Sequence, residues 1–221
     1  MRSSENLLLV EGESDQRFFE KVCPLLKLRA SVRVAPPREV DGRGNNKQGL
    51  IDLLPTILGQ LADGSLKRLA IVVDADYLAH SGLGFARTLS KIETALNGSG
   101  FACAKNPPQH SGLIFRNPDG LADIGAWIMP NNKSEGSLED FLHGCISPGE
   151  QSLFQRARAA VKALPSPKFS ATHVGKAELA TWLAWQKDPG RAAHHALQEG
   201  LFDAAGPSFA GLTGWLARVF K

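Results

Sequence analysis

Apolar residues along this chain fall into two kinds of run. Short uninterrupted ones read as buried strands: Leu7–Val10 (LLLV), Leu69–Val73 (LAIVV), Leu113–Phe115 and Ile124–Met129 (IGAWIM). Ser31–Val34 alternates apolar and polar residues and predicts another strand, closed by Pro36 and Pro37. Between these runs the spacing turns helical. Phe18, Phe19, Val22, Leu25 and Leu26 share one helical face, with Ser14 able to cap the segment. Leu50, Leu53, Leu54, Ile57, Leu58 and Leu61 form a second face, with Pro55 inside it. Phe85–Leu96 reads as a third helix, stopped by Asn97-Gly98. The order is β-α-β-α-β-α-β-β, then a short helix. It predicts an α/β protein with a Rossmann-like, mostly parallel sheet and helices on both faces.

Beyond residue 147 the pattern becomes wholly helical. Leu153–Leu164, Lys176–Gln186, Arg191–Leu197 and Phe209–Phe220 carry helical spacing, separated by Pro165, Pro167, Pro189 and Pro207. The expectation is an α/β core over residues 1–147 and a helical extension over 148–221 packed on it. No internal repeat is evident.

In a parallel sheet, ligands gather at the carboxyl ends of the strands. Here acids end the strands. The first stops at Glu11-Gly12, with Asp15 one helical turn on; LAIVV stops at Asp74-Ala75-Asp76; the last strand leads to Glu135 and then Ser137-Leu138-Glu139-Asp140. If these strands are adjacent, the carboxylates converge. Crowded carboxylates are costly to keep ionised, and a hard divalent cation such as Mg²⁺ or Mn²⁺ relieves them. Gly12 would let a backbone or a phosphate come close. Taken singly, Asp15 reads as a helix-dipole residue and Asp140 as the far end of a capping box. Asp76 fits a loop opening or a site equally, whereas Glu11 and Asp74 read as functional.

Composition narrows this little. A net charge of +3 over 221 residues neither demands nor excludes a nucleic-acid partner. Cys23, Cys103 and Cys145 form no CxxC pair, so neither a zinc ribbon nor a disulfide framework is suggested, and reduced thiols are expected. The N-terminal apolar run is too short for a signal peptide, and no segment has membrane-spanning length. A cytoplasmic protein with no membrane partner is expected. Arg38, Arg43, Lys47, Lys133 and Lys168 are the cations placed to follow a phosphate backbone. Arg43 and Lys47 stand in GRGNNKQG, read as a glycine- and asparagine-rich loop with exposed amides. Such a loop is also an ordinary solvated turn. Trp127, Trp182, Trp185 and Trp215 fall in apolar periodic segments and read as core, and His194-His195 carries no metal spacing.

An apolar strand ending in Glu-Gly (LLLVEGESD), followed after a later strand by Asp-x-Asp (LAIVVDAD), resembles the Toprim domain of topoisomerases, bacterial primases and several nucleases. GSLEDF, at Gly136–Phe141, resembles the third acidic segment of the overcoming-lysogenization-defect nucleases. The whole chain, including WIMPNN and HVGKAELATWLAWQKDPG, is similar to an uncharacterised bacterial and archaeal family of stand-alone Toprim-like proteins, of the domain-of-unknown-function 3226 type. The resemblance implies that Glu11 is a metal ligand or general base and that Gly12 is its partner glycine. It further implies that Asp15, Asp74, Asp76 and Glu139 hold metal, and that Lys176 is the late catalytic lysine, with Lys168 and His173 nearby. Lys176 also reads as a stem lying on a helix face with Leu179 and Leu183.

The sequence departs from that pattern in places. Tyr77-Leu78 follows the Asp-x-Asp where primases carry small residues; an ATPase segment ahead of the first motif is not expected; and Tyr77, the only tyrosine, lies inside the acidic cluster. A tyrosine-dependent topoisomerase is therefore not expected.

The reaction these features imply is phosphodiester hydrolysis of nucleic acid, DNA ahead of RNA, with two ions about 3.5–4 Å apart. Glu11, Asp74 and Lys176 would be its catalytic residues, and Gly12, Arg43, Lys47 and Lys133 its phosphate contacts. Two other classes stay open. One is a phosphotransferase using an aspartyl phosphate, against which the Asp-x-Asp follows the wrong strand. The other is a non-catalytic metal- or nucleotide-binding subunit of a multiprotein, possibly defence-related, system whose partner, such as an ATPase, carries the chemistry.

Overall fold

The structure, a computed structural model, describes residues 5–34, 46–104 and 112–221. Its first part runs β1 (Asn6–Val10), α1 (Glu13–Leu25), β2 (Ser31–Val34), α2 (Lys47–Ala62), β3 (Arg68–Asp74), α3 (Gly84–Asn97), β4 (Ala102–Cys103), β5 (Leu113–Arg116) and β6 (Ile124–Met129). The strands form one six-stranded sheet in the order β2-β1-β3-β6-β5-β4. β2, β1, β3 and β6 run parallel, β5 runs antiparallel to β6, and β4 runs antiparallel to β5. The expected mostly parallel sheet flanked by helices is therefore present. β4 has two residues at the sheet edge, too short for a period to register.

Central strands are covered on both faces, which is why LLLV, LAIVV and IGAWIM are apolar at every position. Alternate residues feed two cores. Leu7, Leu9, Leu69, Ile71 and Val73 face Leu50, Leu54, Leu58, Ile92 and Leu96 of α2 and α3. Leu8, Val10, Ala70, Val72 and Trp127 face Phe18, Phe19 and Val22 of α1.

That second core also takes in the C-terminal helices: α4 (Leu138–His143), α5 (Gln151–Lys162), α6 (Val174–Ala184), α7 (Ala193–Gln198) and α8 (Pro207–Phe220). α8 lies close on the sheet because Gly125 has no side chain. A Cβ there would stand 2.5 Å from Val219 Cγ2 and 3.0 Å from Trp215 Cζ2. The rings of Trp127 and Trp215 meet at 5.5 Å between centroids.

Some local expectations fail. α2 begins at Lys47, inside the expected loop, because the Asn46 side chain accepts a hydrogen bond from Gly49 N at 2.9 Å and caps the helix there. α1 begins after Gly12, so Ser14 lies within its first turn and is not its cap. Leu25 is 58% exposed and Cys23 is buried in the interior instead. Three tryptophans are buried, but Trp185, just past α6, is 45% exposed. Among the described residues no helix is long and apolar enough to cross a membrane.

Candidate functional site

The chain leaves β1 through α1 to β2 on one side, then returns through α2 to β3 on the other. β1 and β3 are thus neighbours whose connections diverge, and the crevice beyond their carboxyl ends is the topological switch point of the sheet. Glu11 follows β1 and Asp74 ends β3. Glu11 Oε2 accepts a hydrogen bond from Asp74 N at 3.1 Å, and the same carboxylate receives the backbone amide of Lys47 at the start of α2. Asp74 Oδ1 accepts from Leu138 N, the first residue of α4, at 2.9 Å. The Asp15 carboxylate, in the first turn of α1, takes the amides of Gly12 and of its own residue. Three helix N-termini, of α1, α2 and α4, therefore each meet one of these carboxylates, and their dipoles favour negative charge there.

That favourable contribution is not enough to offset burial and crowding. Asp15 is pushed up to about 7, first by burial and then by repulsion from Glu11 and Glu139. Asp74 is raised well above the usual carboxylate range by burial and by Asp15, Glu11, Glu139 and Asp76. Glu11 is raised by burial, against the pull of the Lys47 cation. Five acids, Glu11, Asp15, Asp74, Asp76 and Glu139, thus sense one another across one crevice. Glu139 joins them from α4, as the order of the strands requires.

Among the described residues two lysines reach these acids. Lys47 is buried and pairs with Asp76, so it belongs to the acidic cluster itself rather than to a solvated loop. Lys176 Nζ lies 3.7 Å from Glu139 Oε1, with its side chain 56% exposed. Lys133 is exposed in the turn after β6, where its amide donates to Asn131 Oδ1. Gly12 is in an extended conformation open to any residue. Its missing side chain makes room for an acid, since a Cβ would stand 3.2 Å from Asp15 Oδ2. Arg38 and Arg43 lie outside the described residues.

The segment after β3 is strapped to the one before α4. Asp76 has φ 61°, a conformation that takes the chain out of the pleat just past Ala75. Its amide donates to Gly136 O at 2.8 Å. Leu78 N donates to Glu135 Oε2 at 3.1 Å, and the Tyr77 hydroxyl donates to Asp140 Oδ1 at 2.5 Å. Burial and that bond raise Tyr77 above its ordinary value, so it stays a protonated donor. Asp140 also receives Ser137 N at 2.8 Å, the reach-back half of a capping box, and Ser137 Oγ donates to Glu139 Oε2 at 2.8 Å. Tyr77 stands inside the acidic cluster and Glu135 among the strand-end acids in sequence, but neither the Tyr77–Asp140 bond nor the Glu135–Leu78 bond is legible there. Their partners lie 63 and 57 positions away, and no local pattern marks such a strap.

The donor set is carboxylate oxygen throughout, the chemistry a hard divalent cation takes, and the mutual repulsion of the acids is what such a cation would relieve. Glu11, Asp15, Asp74, Asp76 and Glu139 thus fit Mg²⁺ or Mn²⁺ by chemistry. Among the described residues no three side chains already stand as a chelating group. Glu11 and Asp74 direct oxygens to backbone amides instead.

No curated protein and no solved structure matches the chain. The model of one protein family, described as a protein of unknown function (DUF3226), matches residues 5–221. That span holds β1, the acidic crevice and the C-terminal helices together, and the chain belongs to this DUF3226 family.

Proposed function

We propose that this protein is a Toprim-type, metal-dependent phosphodiester hydrolase acting on nucleic acid, akin to the overcoming-lysogenization-defect nucleases. One observation carries the reading. Glu11 and Asp74 meet at the switch point of a parallel sheet, with Asp15, Asp76 and Glu139 close enough to raise the titration of their neighbours. Glu11, Asp15, Asp74, Asp76 and Glu139 would hold Mg²⁺ or Mn²⁺. Such ions, when bound, supply an activated water and offset charge on the leaving oxygen. The chain's own residues then position and neutralise. Lys176, beside Glu139 and reaching solvent, is placed to offset charge on a phosphate. Lys47 keeps Asp76 in place and holds positive charge near Glu11. The expected substrate is DNA before RNA, in the cytoplasm.

A second reading draws on the same bonds. Glu11 and Asp74 tie β1, β3, α2 and α4 together through backbone amides, as structural acids would. The chain would then be a metal- or nucleotide-binding subunit whose partner, such as an ATPase, carries the chemistry.

The deciding experiment incubates the protein with supercoiled plasmid, linear duplex, single-stranded DNA and RNA in Mg²⁺, Mn²⁺ or EDTA, beside Glu11→Gln and Asp74→Asn. Metal-dependent cutting lost in both variants supports hydrolysis. Mn²⁺ binding without cutting favours the subunit reading, and cutting that survives both substitutions overturns the site.

A further inference from the structure

Beside the acidic crevice lies a groove of about 340 Å³ between α1, α4, α6 and the segment leading into α7. Glu139 belongs to both places: it lines the groove beside its partner Lys176, and it is one of the acids that raises Asp15 and Asp74. The groove therefore adjoins the crevice at Glu139. Its floor is apolar, built from Phe18, Leu138, Leu142, Leu179 and Leu183. Its rim is cationic. Arg17, Lys176 and Arg191 line it with side chains 63%, 56% and 48% exposed. Each has acidic neighbours, Glu13 for Arg17, Glu139 for Lys176, and both Asp188 and Glu199 for Arg191; of these the Arg17–Glu13 pair is exposed on both sides, the kind of pair that holds weakly. At the far end His194 is held below its ordinary value, first by burial and then by His195, Lys21 and Arg17, with Glu20 opposing. The Ser14 hydroxyl, left without a capping role, also lines the groove.

We propose that this groove holds one unpaired nucleotide, its base on the leucine floor and its phosphates along the cationic rim, so that the adjoining phosphodiester lies at the acidic crevice. The volume is within the roughly 300–1,000 Å³ of small-ligand sites and too small for a duplex. An apolar floor with a cationic edge matches the two halves of a nucleotide, a flat weakly polar base and an anionic backbone. The substrate at this site is therefore a free nucleotide or the unpaired end of a strand. This occupant presupposes the phosphodiester reading of the acidic crevice.

Binding is measured in EDTA, so that neither metal nor turnover contributes. The probes are a short single strand, the same strand with an abasic end, a nucleoside monophosphate and a blunt duplex. A parallel Mn²⁺ titration reports the acidic site separately. Ala180 and Ala184 line the groove and are exposed, so Ala180→Trp and Ala184→Trp fill it without disturbing the interior. Melting temperatures matching the wild type check their folding. The expected result is that the terminal base tightens binding about tenfold, the scale of burying a modest apolar area. Both variants should lose that gain and keep Mn²⁺ binding. Preference for the monophosphate over the strand identifies a small-nucleotide source; the reverse identifies a strand end. Equal affinity for intact and abasic strands, a duplex bound as tightly as a single strand, or base dependence that survives both variants overturns the groove. Base dependence without any Mn²⁺ binding upholds the groove and overturns the metal reading instead.

Discussion

The amide of Asp74 donates a hydrogen bond to the carboxylate of Glu11 at 3.1 Å, across 63 positions of chain. One acid thereby fixes the height of the other at the ends of two adjacent parallel strands. The bond ties together the residues whose charges resist being brought together, and consequences for stability follow from that opposition.

Asp74→Asn keeps an oxygen for Leu138 N and removes a carboxyl whose ionisation is opposed first by burial and then by Asp15, Glu11, Glu139 and Asp76. In EDTA at neutral pH the variant should be more stable than the wild type, by on the order of 1 kcal/mol. On the proposed metal-binding reading its Mn²⁺ affinity should fall at least about tenfold, since a carboxylate ligand would be lost. Thermal melts and a Mn²⁺ titration check both. A less stable variant would show that the Asp74 charge is held favourably by the α4 amide.

Asp15 sets a pH dependence. Its carboxyl titrates at about 7 in the folded chain, above the ordinary 3.8. Below the ordinary value it is protonated in both the folded and unfolded states, and its contribution to stability is fully present. As pH rises the unfolded chain ionises first, so the contribution is lost through about pH 7. In EDTA the wild type should lose stability over that window, and Asp15→Asn should lose less. Added Mn²⁺ should restore the wild type and leave the variant little changed. Melting temperature against pH, with and without Mn²⁺, reads all four conditions.

Lys47 is buried and pairs with Asp76 while opposing the upward shift of Glu11. Lys47→Met leaves Asp76 without this partner and deepens the repulsion in the crevice. A loss of about 2 kcal/mol in denaturant unfolding is expected, the scale of a hydrogen bond to a charged group. A lysine that only contacted substrate phosphate would leave stability unchanged.

Gly125→Ala tests how α8 is seated on the sheet. The added Cβ meets Val219 Cγ2 at 2.5 Å, and overpacking of this kind costs about 1–3 kcal/mol. Val219→Ala in the same chain should recover part of that loss, because the two positions share one contact. Additive losses in the double variant would show that the strain lies elsewhere.

Much of this architecture is legible in the chain as written. LLLV and IGAWIM announce strands covered on both faces, because only a doubly covered strand can be apolar at every position. The helical spacing of Leu50, Leu54, Leu58 and Leu61 marks the buried face of α2 for the same reason of period. Glu11 and Asp74 could be singled out because a carboxylate where a buried strand ends is conspicuous in one dimension. These are local facts, set by backbone geometry and by which side chains avoid water.

Which strands are neighbours is not local, and only the tertiary structure decided it. The order β2-β1-β3-β6 brings Glu11 beside Asp74, and the seating of α4 on that edge brings in Glu139. Lys47 looked like a loop cation but is buried against Asp76, and Lys176 lies beside Glu139 because α6 packs near α4. Tyr77 found Asp140 through the left-handed turn at Asp76. Periodicity tells which side of an element faces inward. It is blind to which distant element waits there, because that depends on how separate faces fit together and on how charges already buried can be compensated.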